Sequence, residues 1–146
     1  MPDPYAGLFK KSPYFDKCDI VGRVVAVLDA RLQNRGLSLI AQPSRAVRAG
    51  EVHELIATEE DAGPGKNVTT AIYVAFVEIL CGGVLLAGDK VIINAQEVGK
   101  LAGFDETHFP NHMNMVMRCA RALTGREMQL KPGDTVVFRF SPPATT

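Results

Sequence analysis

No sign of charge prevails in this chain. Sixteen Lys and Arg face sixteen Asp and Glu across 146 residues, so the formal net charge is zero. Proteins that bind nucleic acid carry clustered Lys and Arg that displace counterions from phosphates. The densest basic stretches here, Lys10-Lys11 and Arg45 to Arg48, are short. No nucleic-acid partner is expected.

Cysteine is scarce as well. Cys18, Cys81 and Cys119 cannot all pair within one chain, and none sits in a CxxC arrangement. That argues against a zinc ribbon and against a thioredoxin-like redox site. Free thiols in a reducing compartment are the simpler reading. Long apolar runs are missing too: Ala71 to Ala87 is broken by Glu78 and by Gly82-Gly83. A membrane span takes about 20 apolar residues with few charges. Met1 to Ser12 carries Lys10 and Lys11 with no apolar stretch behind a basic one, so it does not read as a signal peptide. The expectation is a water-dwelling, cytoplasmic protein with no membrane partner.

Two catalytic signatures are absent. No Ser stands in a Gly-x-Ser-x-Gly elbow. Gly63-Pro64-Gly65-Lys66 has too few residues before its Gly-Lys for a phosphate loop, and Asn67 follows where Ser or Thr is needed. The acidic and glycine-rich stretch from Ala57 to Val68 reads instead as an exposed, mobile loop or lid.

What is present is a succession of short β-type runs between turn residues. Ile20 to Leu28 is rich in Val and closes at Asp29; Gln33-Asn34-Arg35-Gly36 makes a turn into Leu37 to Ala41. Val52 to Ala57 and Thr69 to Leu80 follow, the latter apolar on both faces, as a central strand would be. Val84 to Leu86, Lys90 to Asn94, Val98 to Phe104 and Thr135 to Phe140 complete the set. About seven short strands with frequent turns predict a mainly β domain, barrel-like or a sandwich.

The segment Met113 to Leu123 fits two periods. Met113, Val116, Met117, Ala120 and Leu123 have helical spacing, while Met113, Met115, Met117 and Cys119 alternate. Pro110 before it and Gly125 after it favour one short helix near 110–124. The organisation expected is an N-terminal arm over 1–18, one β-rich domain over 19–140 and a flexible tail over 141–146.

Chemistry concentrates in Asp105-Glu106-Thr107-His108-Phe109-Pro110-Asn111-His112-Met113-Asn114. Two of the three histidines lie here among carboxylates and amides. Imidazole exchanges protons near neutral pH, and a neighbouring carboxylate can orient it. One reading makes His108, His112 and Glu106 a catalytic set, with Asp105, Asn111 and Asn114 holding a polar ligand. A second gives both histidines to a metal, though no third ligand is fixed by spacing. A third is structural, since Asp, Thr and Asn build caps and turns.

The triplet His108-Phe109-Pro110 is similar to the His-Phe-Pro of hot-dog-fold acyl dehydratases over those three residues alone. The order of elements differs, because that fold wraps several strands round its helix after the motif. Arg23 would bind an anion if it faced inward, since a buried unpaired charge is very costly. His53, between Val52 and Glu54, reads as a residue of a solvated strand face.

These observations lead to a small-molecule-binding, barrel-like protein that assembles as a homo-oligomer, with no metal or cofactor expected. If it is an enzyme, proton transfer of isomerase, lyase or cyclase type fits. The rival is a non-catalytic accessory domain in which 105–114 is only a capped turn.

Overall fold

A computed structural model describes residues 12–142. The arm expected over 1–18 therefore lies mostly outside the described residues, as does most of the tail. The strands run β1 (Ile20–Leu32), β2 (Leu37–Ser38), β3 (Ser44–Val47), β4 (Val52–Thr58), β5 (Asn67–Val68) and β6 (Ala71–Cys81). They continue through β7 (Gly83–Leu86), β8 (Lys90–Ile93), β9 (Gln96–Asp105), β10 (Asn114–Arg118) and β11 (Thr135–Arg139). The mainly β expectation holds.

Seven of these strands form one hydrogen-bonded circuit in the order β1-β11-β8-β9-β10-β4-β6, and β6 pairs back onto β1 to close a barrel. Every pairing in the circuit is antiparallel except that of β10 with β4. Two ribbons, β2 with β5 and β3 with β7, lie beside it.

Alternation along the strands sorts the side chains into two cores. Leu55 and Ala57 of β4, Val77 and Ile79 of β6, Phe104 of β9, Met115 and Met117 of β10 and Phe138 of β11 fill the barrel. A circuit of about this many strands encloses only enough space for its own side chains, and the lumen is packed. Ile56, Ala71, Ala102 and Val116 point the other way. They are roofed by Leu37 and Leu39 of the segment after β1 and by Val68 of β5.

The short helix expected near 110–124 is not seen; no helix occurs among the described residues. Residues 114–118 are β10 instead. Met115 and Met117 enter the barrel core while Val116 enters the outer core, so both faces are apolar. A strand buried on both sides gives a continuous apolar run in which helical spacing is a coincidence. Pro110 lies not in a first helical turn but in the turn over 107–111, behind a cis peptide bond from Phe109. Gly125 ends no helix. It packs so tightly that a Cβ there would stand 2.0 Å from the Val74 carbonyl oxygen.

The Ala57 to Val68 stretch is a loop for most of its length, but it is tied down. The Glu60 carboxylate accepts bonds from the backbone N–H and hydroxyl groups of Thr69 and Thr70. Those donors hold its carboxyl down at about 2. Among the described residues no helix is long and apolar enough to cross a membrane.

Candidate functional site

The pairing register lays a polar row across three strands on the outer face of the barrel. Glu54 of β4 lies opposite Asn114 of β10, and Asn114 lies opposite Asp105 of β9. On the other side Glu54 lies opposite Phe76 of β6. Glu54 shares its face with Ile56, two residues on, which belongs to the outer core. The roof therefore covers part of this row.

Asp105 is 1% exposed and receives three donors. These are the backbone N–H of Ser38 at 3.1 Å, that of Thr107 at 3.0 Å and the Asn114 side-chain amide at 3.1 Å. Burial pushes its carboxyl up, but the three donors outweigh it and hold the group below the usual carboxylate range. Asp105 thus pins the roof and the start of the 105–114 turn at once. Asn114 donates its amide to Asp105, and its Oδ1, equally buried, has no hydrogen-bond partner among the described residues.

Above the row sit both histidines of the turn. Their rings stack with centroids 5.1 Å apart at 29°. The edge of Phe76 packs on His112, also at 5.1 Å between centroids. His112 Nε2 lies 3.2 Å from Glu54 Oε1, and its Nδ1 lies 2.8 Å from the Asn111 amide nitrogen. Both members of the His112–Glu54 pair are nearly buried, with side-chain exposures of 12% and 10%. At the outer end of the stack, Arg35 Nη2 lies 3.3 Å from His108 Nε2. The Nε of Arg35 donates to the Tyr73 hydroxyl at 3.0 Å. The Arg35 backbone is itself fixed, its N–H donating to the Thr69 carbonyl.

These partners assign the ring protons. A guanidinium only donates, so His108 Nε2 accepts and the His108 proton sits on Nδ1. A carboxylate only accepts, so His112 donates Nε2–H to Glu54 while its Nδ1 receives the Asn111 amide. The stacked pair then presents one Nδ1 that carries a proton and one Nδ1 that holds a lone pair. That is an acid and a base side by side.

The structure brings together His108, His112 and Asn111, and places Asp105 and Asn114 in the row beneath them. It does not add Glu106. That carboxylate turns to Arg45, whose guanidinium also lies over the Phe109 ring at 4.6 Å, and the pair helps line a pocket of about 340 Å³. The carboxylate partner expected of Glu106 is supplied by Glu54. Arg23 faces outward, exposed, and pairs with Glu78 at 2.8 Å. The expectation for His53 is corrected: it is 7% exposed, not solvated. It faces inward beside Leu55, where its Nδ1 accepts the Met113 backbone N–H at 3.0 Å and its Nε2 meets Glu51 at 2.7 Å.

Sequence reasoning also missed Arg35, Tyr73 and Phe76. A charged residue inside the apolar run of β4 was the one available signal for Glu54. Nothing local marked the others. Among the described residues no group of three or more His, Cys, Asp or Glu is placed to hold a metal ion.

A family model described as a family of unknown function, DUF6917, matches residues 14–139. No curated protein and no solved structure matches the chain.

Proposed function

We propose, for a chain that belongs to the DUF6917 family of unknown function, that it binds a small organic molecule against the outer wall of the barrel and moves a proton on it without a cofactor. The observation that carries this reading is the stacked pair of imidazoles whose Nε2 partners, the Arg35 guanidinium on His108 and the Glu54 carboxylate on His112, call for opposite tautomers. His112 Nδ1 takes a proton from the substrate while the Glu54 carboxylate, 3.2 Å from Nε2, stabilises the imidazolium that forms. His108 Nδ1–H returns a proton to a second atom. Asn111 holds the basic lone pair until substrate displaces it, which an exposed turn residue can do. Proton removal at one atom and delivery at another is the chemistry of isomerases and of eliminating lyases.

Deuterium incorporation tests this with any molecule that enters the site, natural substrate or surrogate. The protein is incubated in D2O with a panel of small carbonyl compounds that carry an acidic C–H, and loss of that proton is followed by NMR. Exchange above the buffer rate with at least one compound is expected, together with its loss in His112→Gln. No exchange across the panel, or exchange unchanged in His112→Gln, refutes the proposal.

One observation favours the rival reading of a non-catalytic, self-associating protein. Val25, Val52 and Leu80 are exposed on β1, β4 and β6, on the wall around the Arg23–Glu78 pair. On that reading the histidine variants alter stability and nothing else.

A further inference from the structure

Arginines in this chain are mostly neutralised. Arg23, Arg31, Arg45, Arg118, Arg126 and Arg139 each hold a carboxylate within ion-pair distance. Arg48 and Arg121 form no ion pair among the described residues, but both are exposed to solvent. Arg35 is the exception: it is partly buried and no carboxylate of the described residues reaches it.

Its two acceptors, the Tyr73 hydroxyl and His108 Nε2, fix the direction of the guanidinium without cancelling its charge. A guanidinium has five N–H groups; two are used here, and the Nη1 edge is among those left over. The cost of withdrawing such a charge from water is offset by pairing, and the fork of N–H groups matches a carboxylate in a bidentate way. The single carboxylate in the histidine cluster, Glu54, is engaged at the opposite end of the stack by His112. Beside the fork stands the exposed His108 ring, and Phe76 backs the inner ring of the stack.

We propose that Arg35 is the anion-binding residue of this site and that the ligand is a small carboxylate with an apolar body. The inference rests on the proton-transfer site above and names the class of molecule it takes. The anionic end is held by Arg35, and the reacting carbons lie over the two Nδ1 atoms. Tyr73 is a positioning residue that aims the guanidinium.

Benzoate serves as the probe and benzamide as its neutral counterpart, each titrated at constant ionic strength while the His108 ring and Arg35 Nε–H resonances are followed by NMR. Saturable shifts with benzoate and not with benzamide are expected. Arg35→Gln should weaken binding by about tenfold or more, the loss of a charge-assisted bond, and Arg35→Lys should restore part of it. Inorganic phosphate should compete weakly; phosphate that displaces benzoate at equal concentration overturns the carboxylate assignment. Equal shifts from benzoate and benzamide, or binding that survives Arg35→Gln, overturn the proposal outright. The readout needs no turnover. Benzoate binding by the parent protein alongside an absence of deuterium exchange across the whole panel would remove the proton-transfer reading and leave the anion site standing.

Discussion

Replacing Asp105 by Ala should cost more than any other single truncation in the outer row. The carboxylate gathers the Ser38 amide, the Thr107 amide and the Asn114 side chain, and is itself 1% exposed. A hydrogen bond to a charged group contributes about 1.5–3 kcal/mol net, and a buried donor left without an acceptor costs about 1–3 kcal/mol. The two backbone amides lie nearer the surface and recover part of their bonding from water. The Asn114 amide, sealed in the row, does not. The sum is about 3–5 kcal/mol, against a total of about 5–15 kcal/mol for a domain.

Urea titration at pH 7 measures the loss as a lower midpoint at constant slope. The pH profile gives an independent check. The folded carboxyl lies below its usual range, so its contribution is complete above the unfolded value of about 3.9 and disappears as pH falls through the folded one. The gap between parent and Asp105→Ala should stay flat through neutral pH and shrink in strong acid. A loss under about 1 kcal/mol at pH 7, or a gap that widens on acidification, would refute the reasoning.

Two further outcomes follow from packing. Burial, with the charge of Glu59 adding to it, pushes the Cys119 thiol up to about 11. A disulfide reagent applied to folded protein near pH 8 should therefore modify the exposed Cys18 and Cys81 and spare Cys119 until denaturant is added; rapid native modification of Cys119 contradicts this. Gly125→Ala should destabilise by about 1–3 kcal/mol or prevent folding, because the new Cβ meets backbone oxygens of Val74 and Leu28 that cannot swing away. An unchanged thermal midpoint would show that the segment shifts freely.

Much of the fold was legible because most strands are short runs rich in β-branched residues bounded by turn residues. β4, β6, β8, β9 and β11 fall close to the expected runs. β1 runs on past Asp29 because its pairing with β6 continues to Leu32 through bulges. β10 defeats the pattern for a physical reason: with Met115 and Met117 in one core and Val116 in the other, its apolar run satisfies helical spacing as readily as strand alternation. The density of polar groups at 105–114 pointed to the turn in which the two imidazoles stack. Their partners were harder to read, the charge of Glu54 in its apolar run apart, since Arg35, Glu54, Tyr73 and Phe76 come from β4, β6 and the β1–β2 turn and meet the histidines only when the circuit closes. Glu106 was favoured by proximity in sequence, which says little about a side chain whose turn aims it at Arg45.

The lone parallel neighbour in the circuit has a topological origin. Going round a ring, each antiparallel step reverses direction, and the last strand must agree with the first; an odd number of staves therefore cannot all oppose their neighbours. Seven strands force at least one concordant joint, and here it is the β10–β4 joint. Strands that run the same way cannot be joined by a tight hairpin, so this joint is stitched by residues far apart in the chain. Glu54 and Asn114 lie side by side across it. The polar row beneath the histidines is thus laid across the one line where the alternation of the wall has to break, and a homologue that gained or lost a strand would have no need of that line.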